Sequence, residues 1–479
     1  MMPMSEHGLR DADAGDDDSG DRLTAGDDAT ADATDEATDE ATDDAGERPS
    51  GVKRVLRLLG PGLITGASDD DPSGIATYAQ AGATYGYGTL WTVPFVLPLM
   101  IAVQEICDRT ASATGKSLGA LARDRFTGAG RFVVLVLLLA LFAANGLNVA
   151  ADLLAVGEGM ELLRAGPAHL WSAVAGLGIG AVLFFGSFAM VAKVIRWLCL
   201  SLFAYVGVLV VANVDWGDVL IGLAGFEFSF SPAYLGMIVA ILGTSISPYL
   251  FFWQSEDRLE EMRDAPEGGD DPVPLRRRSG RSARRQLVDS RLDVVIGMVF
   301  SVLVMFAIIV ATAATLGAEG KKIETAADAA AALEPIAGPA ASVLFALGFI
   351  GSGLLAVPVL ITAGSAALAA MLGKPWSLAA SPRRDPFFYT LVGVGTIGGV
   401  GLALISADAV TLLVFSALIN GIVAAPFLIM LMIIARNRRI MGRYRVGRLA
   451  GTFGWITAGV MSVASVIGIV QTFTGGLGI

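Results

Sequence analysis

Apolar runs long enough to cross a bilayer recur along almost the whole of this 479-residue chain, and they restrict its fold more than any other feature. Stretches of roughly 20 residues or more lie near 55–83, 87–110, 131–161, 170–191, 195–214, 232–254, 290–316, 339–372, 387–406, 409–435 and 451–473, which predicts about eleven transmembrane helices. In hydrocarbon every backbone polar group needs an internal partner, and runs of this length supply one only as helices. An all-α polytopic membrane protein follows. The chain is 54% hydrophobic with a mean hydropathy of +0.63, above the ~45–50% apolar content of soluble domains.

The net charge of −11 belongs to one end. Residues 1–50 hold seventeen Asp and Glu against three Arg, a net of −14 that leaves +3 for the remainder. That segment is poor in apolar residues and repeats Ala-Thr-Asp-Glu, so it is read as a disordered acidic tail. It lacks the basic start and apolar core of a cleavable signal peptide.

Lys and Arg crowd one set of loops, from Lys53, Arg54 and Arg57 through Arg276–Arg285 to Arg436–Arg448. The alternate loops carry only Arg164, Lys321 and Lys322, which places the N-terminus in the cytoplasm and, with an odd number of spans, the C-terminus outside the cell membrane. Residues 51–256 then hold helices 1–6, residues 257–290 a basic cytoplasmic linker, and residues 291–479 helices 7–11. The linker reads as a solvated, topology-setting segment, with anionic lipid headgroups as its functional alternative. Spans 1–5 and 6–10 look like two five-helix repeats. Their odd helix number gives them opposite orientations, and the first span of each is interrupted by proline.

Those interruptions are Ser68-Asp69-Asp70-Asp71-Pro72-Ser73-Gly74 and Gly243-Thr244-Ser245-Ile246-Ser247-Pro248. A carboxylate at the bilayer centre costs roughly 2.5–3.5 kcal/mol, so three adjacent aspartates imply a cation or a water-filled cavity. Pro72 and Pro248 remove amide hydrogens and disfavour helix just before them, which predicts unwinding near residues 71–74 and a second break at Pro248. Unwound carbonyls at the negative ends of the leading half-helices are suited to a cation. The candidate ligands are the Asp71 carboxylate, the Thr244 carbonyl and the Ser247 hydroxyl or carbonyl, with Asp70 or water completing an all-oxygen shell. Such donors favour Mg2+, Mn2+ and Ca2+ over softer ions. Neighbours on a helix point about 100° apart, so Asp69 and Asp70 read mainly as vestibule charges.

Other buried-span polar residues are weaker signals. Asp152 reads as a charge relay or salt-bridge partner, or else as a carboxylate at a wet helix end. Asn145, Asn148 and Asn420 line a pathway or bond between helices, the commoner use of such residues. Tyr249 and Gln254 rim an inner vestibule or pack. Cys107 and Cys199 show no metal-binding or disulfide spacing, and neither His7 nor His169 falls within a predicted span.

From Gly60-Pro61-Gly62 through Asp71-Pro72-Ser73-Gly74-Ile75-Ala76-Thr77 to Gln80-Ala81-Gly82-Ala83 and Tyr85-Gly86-Tyr87, the chain resembles the first-helix signature of the Nramp divalent-metal transporters. Thr114-Gly115-Lys116-Ser117-Leu118 with Arg123-Asp124-Arg125-Phe126 is similar to that family's loop after helix 2, and Ala151-Asp152-Leu153 to its helix-3 motif. The resemblance extends over residues 51–473 and implies a leucine-transporter-like five-plus-five inverted repeat with helices 1 and 6 broken. Gly74 stands where most members have an asparagine ligand and is carried with the site on that account. Ser247 and Tyr249 stand in place of the family's methionine and histidine, and Ala155 in place of a glutamate. Loss of the thioether removes a soft ligand, and loss of the other two thins the proton route. The combination is similar to the Nramp-related magnesium transporters, which accept Mg2+ and Mn2+ without evident proton coupling.

The implied function is alternating-access transport of a divalent cation, with the metal as substrate and no resident cofactor. A proton-coupled Mn2+/Fe2+ importer is the alternative. A membrane enzyme holding Mg2+-diphosphate would want a second Asp-rich motif and basic residues facing it within the membrane. Neither occurs, so no enzyme is expected. The bilayer and divalent metal ions are the expected partners, with no sign of nucleic acid or an obligate protein partner.

Overall fold

A computed structural model describes residues 61–186, 207, 209, 214–225, 227–264, 272–317, 341–406 and 409–474. The acidic tail, most of the predicted fifth span and Cys199 lie outside the described residues. The regular secondary structure among them is helical. In chain order we label α1 Pro61–Asp69, α2 Pro72–Tyr85, α3 Thr92–Thr114, α4 Leu118–Arg125, α5 Gly128–Leu162, α6 Ala168–Phe185, α7 Trp216–Leu223, α8 Pro232–Ser245, α9 Pro248–Asp264, α10 Gly280–Thr312, α11 Ala341–Met371, α12 Pro386–Ile405, α13 Ala409–Ala435, α14 Arg438–Met441 and α15 Arg448–Thr474.

Eight of the described helical segments are long and apolar enough to span a membrane, or nine if Pro72–Thr89 and Thr92–Thr114, bent by 112°, are taken together. The short halves α1, α2, α8 and α9 lie inside the bundle. Helix α2 packs on α10, α13, α8 and α5, while α9 packs on α3 and α11. Helices α6, α12 and α15 turn Leu177, Ile397 and Val463 outward, large apolar side chains of the kind a lipid-facing surface requires.

Glycine sets how closely two of the half-helices sit. A Cβ on Gly66 of α1 would collide with the Gly297 carbonyl of α10, and one on Gly243 of α8 would collide with the Ala417 carbonyl of α13. Such backbone-to-backbone approach is the usual means of helix association in lipid, where apolar side chains gain little by leaving the solvent.

The predicted linker is shorter than residues 257–290. Helix α9 continues to Asp264 and α10 begins at Gly280. Asp257, Arg258 and Glu260 are buried, and Arg258 and Glu260 meet partners from distant parts of the chain as well as from their own helix. Arg258 is bonded to Asp108 of α3 and to Glu261, and its guanidinium lies 4.0 Å from Asp293 of α10. Glu260 pairs with Arg263 at 2.7 Å and accepts the Leu378 amide at 2.9 Å. Cys107 is a buried free thiol, and His169 sits exposed in the first turn of α6.

Candidate functional site

The first break is tighter than the expected unwinding over residues 71–74. Helix α1 ends at Asp69 and α2 starts at Pro72, leaving Asp70 and Asp71 between them. Proline is well suited to the first helical position, where its missing N–H has no intrahelical use, so it starts α2 instead of lying in the gap. Asp71 is the N-cap, with extended backbone at φ −66° and ψ 168°. Its Oδ1 accepts the Gly74 amide at 2.8 Å and the Ser73 hydroxyl at 2.6 Å.

Gly74 therefore lies in the first turn of α2 and contributes a donor to Asp71, in place of the ligand expected at the asparagine position. A Cβ there would sit 3.2 Å from Thr244 Oγ1 and 3.3 Å from the Asp69 carbonyl, so its bareness lets α2 approach α8.

The second break has the same form. Helix α8 ends at Ser245, Ile246 and Ser247 bridge, and Pro248 opens α9. Ser247 Oγ donates back to the Gly243 carbonyl at 2.8 Å and the Thr244 carbonyl at 2.7 Å, so two expected donors are already bonded to each other. One lone pair of the Thr244 carbonyl remains beyond that bond.

Two contacts join the breaks. Thr244 Oγ1 lies 3.3 Å from Ser73 Oγ, and the Tyr249 hydroxyl reaches the Ser68 carbonyl at 2.9 Å and Asp71 Oδ2 at 3.1 Å. Tyr249 has one hydroxyl hydrogen for those two acceptors. It bonds within the site itself, not at a vestibule rim. Asp71, Thr244, Ser247 and Tyr249 are all buried.

The three aspartates separate. Asp69 Oδ2 and Asp70 Oδ1 both face Ser301 Oγ of α10, at 2.7 and 3.3 Å. Asp70 Oδ1 is thus engaged by α10, while its Oδ2 has no hydrogen-bond partner. Among the described residues no three of His, Cys, Asp and Glu converge as a ligand group, so a cation here would need hydroxyl or carbonyl oxygens to complete its shell.

Asp152 lies deep within α5, fully buried, and neither of its carboxylate oxygens has a hydrogen-bond partner. The helix continues ten residues past it, so it is not at a wet helix end. Asn145 and Asn420 prove to be interhelical bonders: Asn145 donates to the Leu360 carbonyl at 2.9 Å, and Asn148 donates to Asn420 Oδ1 at 3.2 Å.

Sequence reasoning gave no role to Ser73 or to the Ser68 carbonyl, although both lie in the polar run at the first break, and it missed Ser301 because a lone serine in an aliphatic run gives little signal. Gln254 was noticed, but not its partners: it accepts the Thr65 hydroxyl at 2.6 Å and donates to Asp108 Oδ1 at 3.3 Å, which ties α1 to the charged layer around Arg258.

The chain and its fold are similar to those of known transporters over most of their length. The divalent metal cation transporter MntH of Deinococcus radiodurans is 27% identical over 424 residues, covering 86% of this chain and 88% of that protein. MntH of Ralstonia nicotianae is 27% identical over 438 residues, covering 88% and 92%. The fold matches the crystal structure of the Eremococcus coleocola manganese transporter with a TM-score of 0.70 at 16% identity, over 90% of each chain. It also matches Mhp1, a nucleobase-cation-symport-1 family transporter, with a TM-score of 0.51 at 17% identity, over 88% of this chain and 91% of the other. The natural resistance-associated macrophage protein-like (Nramp) family model matches residues 62–471, a span holding both breaks and Asp152, and the chain belongs to the Nramp family.

Proposed function

We propose that this Nramp protein is a secondary transporter that moves divalent metal cations across the membrane by alternating access, with Mg2+ and Mn2+ as its favoured substrates. The supporting observation is the chemistry of the two joined breaks. The Asp71 carboxylate, the Ser73 and Thr244 hydroxyls, the Ser68 and Thr244 carbonyls and the Tyr249 hydroxyl are all oxygen donors, held by bonds of 2.6–3.3 Å. Neither sulfur nor imidazole belongs to this described set, which favours hard cations. The curated relatives named as divalent metal cation transporters, and the structural neighbour named as a manganese transporter, support the broader substrate class. Asp71 and Thr244 belong to different halves of the chain, so movement of one half against the other would open and close the site.

Coupling to protons is not part of this reading, since Ser247, Tyr249 and Ala155 replace the titratable and soft groups that the family resemblance leads one to expect. One observation favours the second reading, a proton-coupled Mn2+/Fe2+ importer: Asp152 is fully buried and neither of its carboxylate oxygens has a hydrogen-bond partner. Uptake by purified protein in liposomes, comparing Mg2+, Mn2+, Ca2+ and Fe2+ with and without a pH gradient, tests both. Mg2+ and Mn2+ uptake that ignores the gradient supports the first. Uptake of Mn2+ and Fe2+ only, driven by the gradient, would replace it with the second.

A further inference from the structure

Away from the paired breaks, a cavity of about 690 Å³ opens on the arginine-rich face of the bundle. Lys116 of the α3–α4 turn, Arg125 of α4, Arg276 of the α9–α10 connection, and Arg438 and Arg439 of α14 all line it. These segments are more than 300 residues apart at their extremes, yet they bring five cations to one concavity. Its lining contains one carboxylate, Asp124, and that group is already engaged: Lys116 Nζ lies 2.7 Å from Oδ2 and Arg123 Nε 3.4 Å from Oδ1. Desolvation would raise the Asp124 carboxyl, but the bond and charge of Lys116, together with Arg123, bring it below its usual value. Arg276, Arg438 and Arg439 make no ion pair among the described residues, and all three are exposed.

Membrane topology alone requires basic residues to be counted in the loops on one side; it does not require them to converge. Gathering like charges around a cavity raises its local potential, and an anion that neutralises several at once relieves it. Arginine forks suit phosphate oxygens in particular, and the volume is in the range of small-molecule sites, larger than one inorganic phosphate needs.

We propose that this cavity is a binding site for a phosphate-bearing anion, held by Arg276, Arg438 and Arg439 with Lys116 and Arg125 at its edge. Because these groups come from the α3–α4 turn and the end of α4, the α9–α10 connection and the segment after α13, the bound anion ties together three parts of the chain that are distant in sequence. An anionic phospholipid headgroup and a soluble polyphosphate share this chemistry.

The test uses full-length purified protein and two probes. Sodium pyrophosphate is titrated in detergent at fixed ionic strength, and thermal unfolding is followed in phosphatidylcholine vesicles with and without phosphatidylglycerol. The pocket variant Arg276→Gln/Arg438→Gln/Arg439→Gln is compared with Arg436→Gln/Arg443→Gln/Arg445→Gln, which removes the same charge from neighbouring positions outside the cavity. The double variant Arg438→Gln/Arg439→Gln serves if the triple fails to fold. Saturable pyrophosphate binding weakened about tenfold or more by the pocket variant alone identifies a soluble ligand. Stabilisation by phosphatidylglycerol, lost in the pocket variant alone, identifies a lipid headgroup. Equal effects of both variants on both probes, or no response to either probe, would overturn the proposal.

Discussion

Asp71 has two jobs, and substitutions can separate them. It caps α2 through the Gly74 amide, and it is the carboxylate at the junction of the two breaks. Asparagine caps a helix about as well as aspartate, so Asp71→Asn should keep thermal stability within about 1 kcal/mol while abolishing Mg2+ and Mn2+ uptake in liposomes. Asp71→Ala should lose the same uptake and a further ~1 kcal/mol from the missing cap. Near-normal transport by the asparagine variant would remove Asp71 from the cation path. Ser247 offers a second contrast, since its hydroxyl is bonded to two carbonyls of α8. Ser247→Met would free those carbonyls and add a thioether beside them, which should shift competition towards Cd2+ relative to Mg2+. A folded, active variant with the parent's competition profile would place Ser247 outside the cation's reach.

The half-helices depend on long-range partners as much as on their own sequences. Arg258 of α9 is buried against Asp108, with Glu261 and Asp293 nearby. Removing one member of a buried ion pair typically costs about 3–5 kcal/mol, because the other charge is stranded. Arg258→Met should therefore lower thermal stability in detergent sharply, whereas Arg285→Met, whose exposed side chain lies 3.9 Å from an exposed Asp289, should change it by less than about 1 kcal/mol. Equal midpoints for the two variants would show that the Arg258 layer carries no stability. This layer also shows what sequence reading can reach. Proline in an apolar run marks both breaks, since its effect on backbone geometry is local. The run Asp257-Arg258-Leu259-Glu260-Glu261 looks like the start of a solvated linker, because the distant groups that Arg258 and Glu260 meet are at Asp108, Asp293 and Leu378. The split of the three aspartates was equally hidden. It depends on Ser301, more than 230 residues away, which gathers Asp69 and Asp70 while Tyr249 takes Asp71.

At the scale of the whole molecule, coupling is the open choice between the two transport readings. If metal moves without protons, liposomes loaded with a pH-sensitive dye should show little acidification during Mn2+ or Mg2+ entry, and Asp152→Asn should leave uptake of either metal within about twofold. Robust proton entry that tracks metal entry and disappears in Asp71→Asn would favour the coupled importer. The cap at Asp71 has a consequence here as well. Oδ1 holds the Gly74 amide at 2.8 Å, so an ion drawn to that oxygen competes with the chain's own first turn of α2. Each passage would then melt and re-form one helical turn, a step that helical segments complete in about 0.1–1 μs. Hydrogen exchange at the Gly74 amide should quicken as Mn2+ is added, giving a local record of cargo that does not slow turnover.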